Sequence, residues 1–136
     1  MIWSFPDQFV QGHRVGAATS LLDVGPTLID LAGGERMPDV AGHSLRGFLE
    51  GGDAVPGRPA EIYSENYSGA TEPPGRMIRR GSWKLNHYHG HTVPQLFNIE
   101  LDPEEFHDLG TDPEYADIRT ELLDMVLDGW DGGVIK

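Results

Sequence analysis

The sequence predicts an α+β fold in which a short antiparallel sheet of about four strands is covered by a C-terminal amphipathic helix. Four short segments between residues 61 and 99 alternate apolar and polar residues, and turn-forming residues separate them. One segment with helical periodicity follows them. Because strands joined by tight turns pair antiparallel and leave one apolar face, a single helix suffices to cover the sheet.

Residues 15–34, near the start of the chain, predict a strand followed by a helix. Asp23 is a suitable N-cap, and Pro26 falls in the first turn, where its missing N–H costs nothing. The glycine pair at 33–34 ends the helix. The apolar stripe that we expect this helix to bury consists of Val24, Leu28 and Leu31.

A second, shorter element and a boundary follow. Residues 40–49 predict a short helical turn, with three apolar side chains inward: Leu45, Phe48 and Leu49. Residues 51–59 consist of Gly, Pro, Asp, Arg and small apolar residues, a composition typical of a connection between units. We therefore expect two parts, residues 1–52 and residues 53–136.

The predicted sheet lies entirely in the second part. Its four strands are residues 61–65, 76–80, 83–89 and 95–99. The second and third strands form a hairpin around Gly81 and Ser82, whereas residues 69–75 (GATEPPG) form a loop that a central strand would not tolerate. A turn at residues 101–104 (LDPE) closes the fourth strand.

The C-terminal helix has the clearest start signal. Thr111 or Asp112 caps it, Pro113 occupies the first helical position, and the periodic pattern extends to about Trp130. Its apolar stripe consists of Ile118, Leu122, Met125 and Val126.

Composition excludes several functional classes. The 136 residues include 22 acidic and 10 basic ones, which gives a formal net charge of −12, so we expect neither nucleic acid nor an anionic membrane as a partner. The absence of cysteine excludes disulfides, thiolate metal sites and a cysteine nucleophile. No basic leader or membrane-length apolar segment occurs, so we expect a soluble chain, with the compartment and oligomeric state left open.

Three alternating histidines, His87, His89 and His91, are a candidate metal site. On a strand, residues at this spacing project from one face, where imidazoles can converge on a transition metal. Gly90 interrupts the triplet, however, and closed zinc sites usually take four ligands from two separated pairs. We therefore favour an exposed strand end and expect no metal site in this chain.

A cluster of basic residues on the predicted hairpin is a candidate anion site. It consists of Arg76, Arg79, Arg80 and Lys84. Such side chains bind sulfate, phosphate or carboxylate through charge-assisted hydrogen bonds. We favour the alternative that they pair with the many carboxylates of this acidic chain, because exposed ion pairs are common.

Several segments resemble, in order, the C-terminal part of the sulfatase family. The segments are residues 2–6 (IWSFP), 20–33 (SLLDVGPTLIDLAG), 42–45 (GHSL), 76–84 (RMIRRGSWK), 95–99 (QLFNI) and 102–105 (DPEE). Residues 64–67 (SENY) and 77–81 (MIRRG) resemble the choline-sulfatase-like branch. Gly25 departs from the pattern, since the family prefers a large apolar residue there.

The resemblance implies an enzyme class whose catalytic machinery is absent from this chain. Sulfatases hydrolyse sulfate esters with a formylglycine made in a Cys/Ser-x-Pro-x-Arg motif, beside a calcium-type cation, and both belong to the N-terminal domain. Residues 4–8 (SFPDQ) imitate the motif, but Gln8 replaces its arginine, and we interpret the similarity as coincidence. We expect no catalytic residue and no activity of this chain alone.

The resemblance also implies which sulfatase domain each of the two parts corresponds to. Residues 1–52 correspond to the end of the large α/β catalytic domain, and residues 53–136 to the smaller C-terminal subdomain, which completes the fold and part of the substrate pocket. The implied partners are the missing N-terminal catalytic domain and a small sulfate ester; similar enzymes act on phosphate or phosphonate esters.

The candidate substrate-binding residues are Glu65, Asn66, Arg76, His87 and His89. The alternative is a stand-alone anion-binding or scaffold module that uses the hairpin at residues 76–84.

Overall fold

The computed structural model describes residues 1–36, 38–67 and 73–130. The chain forms two compact units, residues 1–60 (the first unit) and residues 61–136 (the second unit). No helix among the described residues is long and apolar enough to span a bilayer.

The described residues of the first unit form two α-helices. A 3-10 turn, Leu21–Asp23, continues into α1, Val24–Leu31, and a single helical turn, α2, covers Arg46–Leu49. The predicted strand before α1 is wrong, because residues 15–20 have no regular structure. A strand needs a partner strand for its hydrogen bonds, and the described residues of this unit contain none.

Asp23 occupies the N-cap position of α1 as predicted, but its side chain makes no capping hydrogen bond to this helix, and the predicted apolar stripe is only partly buried, since Val24 and Leu31 are half-buried and Leu28 is exposed. Ser20 caps the preceding 3-10 turn, where its hydroxyl accepts from the Leu22 N–H, and Asp23 occupies the third position of that capping box. Leu28 is 55% exposed, whereas Thr27 is fully buried. The Thr27 hydroxyl donates to the Asp23 carbonyl at 2.6 Å and accepts from the Leu45 N–H at 2.9 Å, which buries a polar side of α1 instead of the apolar stripe.

The inward residues of α2 follow the prediction more closely. Leu45, which precedes the helix, and Phe48 are both buried, and Leu49 is half-buried.

The second unit confirms the predicted α+β architecture. Its four strands pair antiparallel in chain order, and the tight turn between β2 and β3 places Gly81 at a φ of 59°. The strands are β1 (Glu61–Asn66), β2 (Gly75–Arg80), β3 (Trp83–Tyr88) and β4 (Gln95–Asn98). Residues 69–72 of the predicted loop lie outside the described residues.

One helix, α3 (Ala116–Leu127), covers the sheet. The chain enters it through a 3-10 turn, Pro113–Tyr115, which is capped by Asp112, whose carboxylate accepts from the Glu114 N–H at 2.9 Å. α3 ends at Leu127, before the predicted Trp130, because Gly129 adopts a left-handed φ of 64°. The fully buried core is Ile78, Leu85, Leu96, Leu122 and Val126.

The strand register divides the sheet into two faces. Because side chains alternate, Ile78 and its cross-strand partners Tyr63 and Leu85 lie on the face that α3 covers, the helix face. The opposite face is called the far face. Its residues on β1 to β3 are Ile62, Ser64, Asn66, Gly75, Met77, Arg79, Lys84, Asn86 and Tyr88.

Candidate functional site

The five predicted substrate-binding residues do not form a single cluster. Glu65, Arg76 and His87 are register partners across β1, β2 and β3, and they share the helix face near the end of α3. Asn66 lies on the far face, and His89 follows the end of β3. Two adjacent strand positions point to opposite sides of a sheet, so Glu65 and Asn66 cannot serve the same face.

Arg76 is bound to the end of α3. Its Nη1 donates to the carbonyl oxygens of Val126 at 2.8 Å and Asp128 at 2.9 Å. Its Nε lies 3.1 Å from Glu65 Oε1, and its guanidinium carbon lies 4.7 Å from the centre of the Tyr63 ring. A cation that hydrogen-bonds the last carbonyls of a helix stabilises that end of the helix.

Aromatic and histidine side chains extend this network. The Trp130 indole donates to the Tyr67 hydroxyl at 3.0 Å, and that hydroxyl is 2.6 Å from Glu65 Oε2. The rings of His87 and His89 contact Trp130 edge-on, with centroid separations of 5.7 and 6.5 Å. Sequence reasoning missed Tyr67 and Trp130, since nothing in their spacing relates them; they are 63 positions apart.

The electrostatics of this network favour neutral histidine. Burial lowers the pKa of His87, and the positive charges that His89 and His91 can carry lower it further. Its Nδ1 is buried and has no hydrogen-bond partner among the described residues. The hydrogen bond to Glu65 raises the pKa of the Tyr67 hydroxyl. These groups hold the segment after α3 in place, and they do not include a nucleophile paired with a base.

The three alternating histidines do not converge. β3 ends at Tyr88, and Gly90 has a φ of 81° in the turn that the His91 N–H closes on the Tyr88 carbonyl at 3.0 Å. The His91 ring packs against Tyr88, away from Trp130. Over residues 1–36, 38–67 and 73–130, no three His, Asp or Glu side chains are arranged to hold a metal ion. The described residues therefore do not fit a divalent cation, and the sequence contains no cysteine from which a formylglycine could be made.

Three of the four basic side chains of the hairpin face carboxylates. Besides the contact of Arg76 with Glu65, Arg80 lies 2.8 Å from Glu121 and Lys84 lies 2.7 Å from Glu105. The fourth, Arg79, is on the far face, and its Nε is buried without a hydrogen-bond partner among the described residues. The ion pairing that the acidic composition favours is thus present.

A buried ion pair organises the first unit. Arg58 Nη2 lies 3.0 Å from Asp23 Oδ2 and also donates to the Ala18 carbonyl. Burial raises the pKa of Asp23, but hydrogen bonds from the backbone N–H groups of His43 and Ser20, together with Arg58, outweigh it and hold that pKa below its ordinary value. The pair attaches the loop at residues 51–59 to the start of α1.

The first unit also contains a cavity of about 280 Å³ lined by α1, by the segment between α1 and α2 and by the loop after α2. Ile29, Val40 and Val55 are among its apolar lining residues. Two of its polar side chains bind each other, since the Ser44 hydroxyl donates to the Asp30 carboxylate.

Comparison with known proteins places almost the whole chain in one family. Residues 1–129 match the family described as "N-sulphoglucosamine sulphohydrolase, C-terminal". Arylsulfatase K of Mus musculus is 35% identical over 116 residues, which cover 80% of this chain and 21% of that protein. The Delta 4,5-hexuronate-2-O-sulfatase of Bacteroides thetaiotaomicron is 38% identical over 109 residues, which cover 76% of this chain and 22% of that protein.

The solved structures agree with the sequence match. The structure of a phosphonate monoester hydrolase from Silicibacter pomeroyi superposes with a TM-score of 0.73 and 26% identity, covering 89% of this chain and 26% of that one. The chain thus spans about a fifth of the length of the curated relatives it matches. Sequence and fold both correspond, and the chain belongs to the sulfatase family, as a C-terminal part that matches the family described as "N-sulphoglucosamine sulphohydrolase, C-terminal".

Proposed function

We propose that this chain is the C-terminal part of a sulfuric-ester hydrolase, which completes the fold of a larger catalytic region and is inert alone. The observation that carries the proposal is the match of residues 1–129 to a sulfatase C-terminal family, together with curated relatives of which the match covers about a fifth. The chain itself supplies neither the formylglycine nor the divalent cation that sulfatases use. In the proposed enzyme both belong to the N-terminal catalytic domain, with the cation of calcium type.

The surface of the first unit supports an N-terminal catalytic partner. Large apolar side chains at the beginning of the chain and around α1 are exposed: Ile2, Phe5, Val10, Leu21, Leu22 and Leu28. Exposed apolar side chains at this density are typical of a surface that another protein segment covers. In the proposed enzyme, residues 1–52 belong to the large α/β domain, and this surface packs against the rest of it.

The proposed substrate is a small sulfate ester. The sulfatase names of the two curated relatives support this class, while the phosphonate monoester hydrolase supports a phosphonate ester as the competing substrate. Among the five candidate substrate-binding residues, Asn66 and His89 are exposed, whereas Arg76 binds the end of α3 and His87 is half-buried. We therefore expect Asn66 and His89 to contribute most to a pocket wall.

A chimera tests the proposal. The matching C-terminal segment of the Bacteroides hexuronate sulfatase is replaced by this chain, and hydrolysis of the sulfated substrate is measured beside the truncated enzyme and this chain alone. We expect activity in the chimera and none in the other two. Turnover by this chain alone, or full activity of the truncated enzyme, would contradict the proposal. An in-frame Cys/Ser-x-Pro-x-Arg sequence in the coding DNA upstream of Met1 would support it independently.

The alternative, a stand-alone anion-binding or scaffold module, depends on the hairpin at residues 76–84. Because three of its four basic side chains face carboxylates, Arg79 is the residue left to carry it. Titration with inorganic sulfate tests this alternative: it requires saturable binding that the Arg79→Ala variant loses.

A further inference from the structure

A depression of about 150 Å³ lies on the sheet near the ends of β1 and β3. Its lining comes from three adjacent strands, and all of the lining side chains that reach it from the far face are uncharged: Ser64, Asn66, Met77, Asn86 and Tyr88. The floor is Gly75, which contributes no side chain.

Gly75 and Tyr88 shape the depression together. They are register partners on β2 and β3, and a Cβ built on Gly75 would lie 3.1 Å from Tyr88 Cδ1 and 3.3 Å from Cε1. The Tyr88 ring therefore lies over Gly75, and Tyr88 itself remains 36% exposed. An aromatic ring laid over a strand in this way offers an apolar platform beside the polar groups of the rim.

The basic residues that touch the depression do so without presenting their charge to it. Arg76 and His87 lie on the opposite face, where the Arg76 guanidinium binds the end of α3 and the His87 ring contacts Trp130. Lys84, which is on the far face, is held by Glu105. Arg79, the other cation of the far face, lies outside the lining. An anionic ligand in the depression would therefore have no cationic partner among the lining side chains, which is unfavourable.

We propose that this depression binds an uncharged, hydroxyl-rich ring, such as a sugar ring without a sulfate group. The Ser64 hydroxyl and the carbonyl oxygen of the Asn86 amide, whose nitrogen donates to Gln95 Oε1 at 3.4 Å, match the donors and acceptors of ring hydroxyls. The Tyr88 ring and Met77 match the apolar face of such a ring. The proposal depends only on residues of the second unit, so it stands whether or not the chain completes a sulfuric-ester hydrolase.

A titration followed by NMR tests the proposal on the complete chain. Glucose, a sulfate monoester of glucose and inorganic sulfate are added separately, and the Gly75 backbone and Asn86 side-chain amide signals are followed. We expect saturable shifts with glucose, binding of the sulfated sugar at least about tenfold weaker, and no saturation with inorganic sulfate. Absence of saturable shifts with glucose, or equal or tighter binding of the sulfated sugar, would overturn the proposal.

Variants separate binding in the depression from binding elsewhere. Tyr88→Leu removes the aromatic platform and Gly75→Ala places a methyl group against the Tyr88 ring and displaces it, and each should weaken glucose binding about tenfold or more. Ser64→Ala, on an exposed strand position, provides a third variant if either of these fails to fold. Thr92→Ala is the control, since Thr92 is an exposed polar residue of the second unit outside the lining. Unchanged glucose affinity in well-folded Tyr88→Leu and Ser64→Ala variants would refute the assignment.

Discussion

Asp23 determines how the first unit is held together. Its carboxylate is buried and accepts from the backbone N–H groups of Ser20 and His43, both at 2.9 Å, and from Arg58. A buried carboxylate is tolerated when it is paired and fully hydrogen-bonded. One side chain therefore joins the start of α1, the segment before α2 and the loop after it.

Removal of the Asp23 carboxylate should strongly destabilise the first unit. Asp23→Ala leaves the Arg58 guanidinium buried without its partner, so we expect a loss of about 3–5 kcal/mol in the free energy of unfolding, measured by chemical denaturation. Asp53→Ala, at an exposed position in the same unit, is the control and should change it by less than about 0.5 kcal/mol. Equal stability of the two variants would show that the pair contributes little.

Two glycines of the first unit should respond in opposite ways to the same substitution. A Cβ on Gly42 would overlap the Leu22 carbonyl, whereas a Cβ on Gly25, in α1, meets no atom within 4 Å. Gly42→Ala should therefore destabilise by about 1–3 kcal/mol through overpacking. Gly25→Ala should stabilise by about 0.5–1 kcal/mol, because alanine favours the helix. Thermal unfolding of both variants checks the signs, and a stabilising Gly42→Ala would contradict the close approach.

At the scale of elements, α3 is fixed to the sheet in two different ways. Leu122 and Val126 bury completely against the strand residues Ile78, Leu85 and Leu96. The end of the helix is fixed by polar contacts instead, through Arg76, and the following residues through Trp130. Apolar burial positions the middle of the helix, while directional hydrogen bonds decide where it ends.

Two arginines of β2 contact α3 in different ways: Arg76 hydrogen-bonds the end of the helix, and Arg80 forms an ion pair with Glu121. Arg76→Met removes two hydrogen bonds to the end of α3, and we expect a loss of about 1–3 kcal/mol together with faster amide exchange near residues 124–130. Arg80→Met removes an ion pair with the exposed Glu121 and should lose less than about 1 kcal/mol. Hydrogen exchange and denaturation measure both; unchanged exchange at the helix end in Arg76→Met would contradict its capping role.

The same region should be sensitive to acid. Because the folded state lowers the pKa of His87 below its ordinary value of 6.5, the unfolded state takes up a proton more readily, and stability decreases as pH falls below about 6.5. Melting temperatures between pH 7.5 and 5 measure the effect. His87→Phe keeps a ring against Trp130 and should show a smaller decrease, whereas His13→Gln in the first unit should follow the parent chain. An identical decrease in His87→Phe would exclude His87 as the source.

At the scale of the whole molecule, the two units differ in how well they bury their apolar residues. The second unit has a closed core between sheet and helix, in which five side chains are fully buried. In the first unit the helix that should bury an apolar stripe exposes Leu28 and buries Thr27. This difference is expected if the first unit belongs to a larger domain, as proposed.

The exposed leucines around the start of α1 should make the isolated chain self-associate. Leu21, Leu22 and Leu28 are 82%, 61% and 55% exposed. We expect the chain to bind an apolar dye and to elute from size exclusion above its monomer mass, and the triple serine variant to elute as a monomer. Leu101→Ser, at an 83% exposed position of the second unit, is the control and should leave association unchanged. A monomeric parent chain without dye binding would contradict a covered surface.

The second unit could be predicted from the sequence more completely than the first. Alternation and turn residues predicted β1 to β4 within a few residues, and Asp112 with Pro113 predicted the start of α3. In the first unit the periodicity of Val24, Leu28 and Leu31 predicted a helix correctly but its buried side wrongly. Periodicity shows which side of a helix is apolar, but what covers that side depends on the rest of the fold.

The candidate site, too, could be predicted from the sequence only in part. The sequence indicated Glu65, Arg76 and His87 as polar residues of the sheet, and the register placed them in one row. It gave no sign that Arg76 binds α3 or that Asn66 lies on the other face with Gly75 and Tyr88. The first relation follows from helix docking between residues 50 positions apart and the second from the pairing register of three strands, and local spacing encodes neither.

By itself, the sequence determined the family, the order of strands and helix in the second unit and the absence of a cysteine nucleophile, because each depends on residue identity and local periodicity. The tertiary structure alone decided which charges are neutralised, which side of α1 is buried and where the sheet has an uncharged depression. The physical reason is distance along the chain: the Arg58–Asp23 and Arg76–α3 contacts join residues 35 and 50 or more positions apart, and only the folded backbone brings them together.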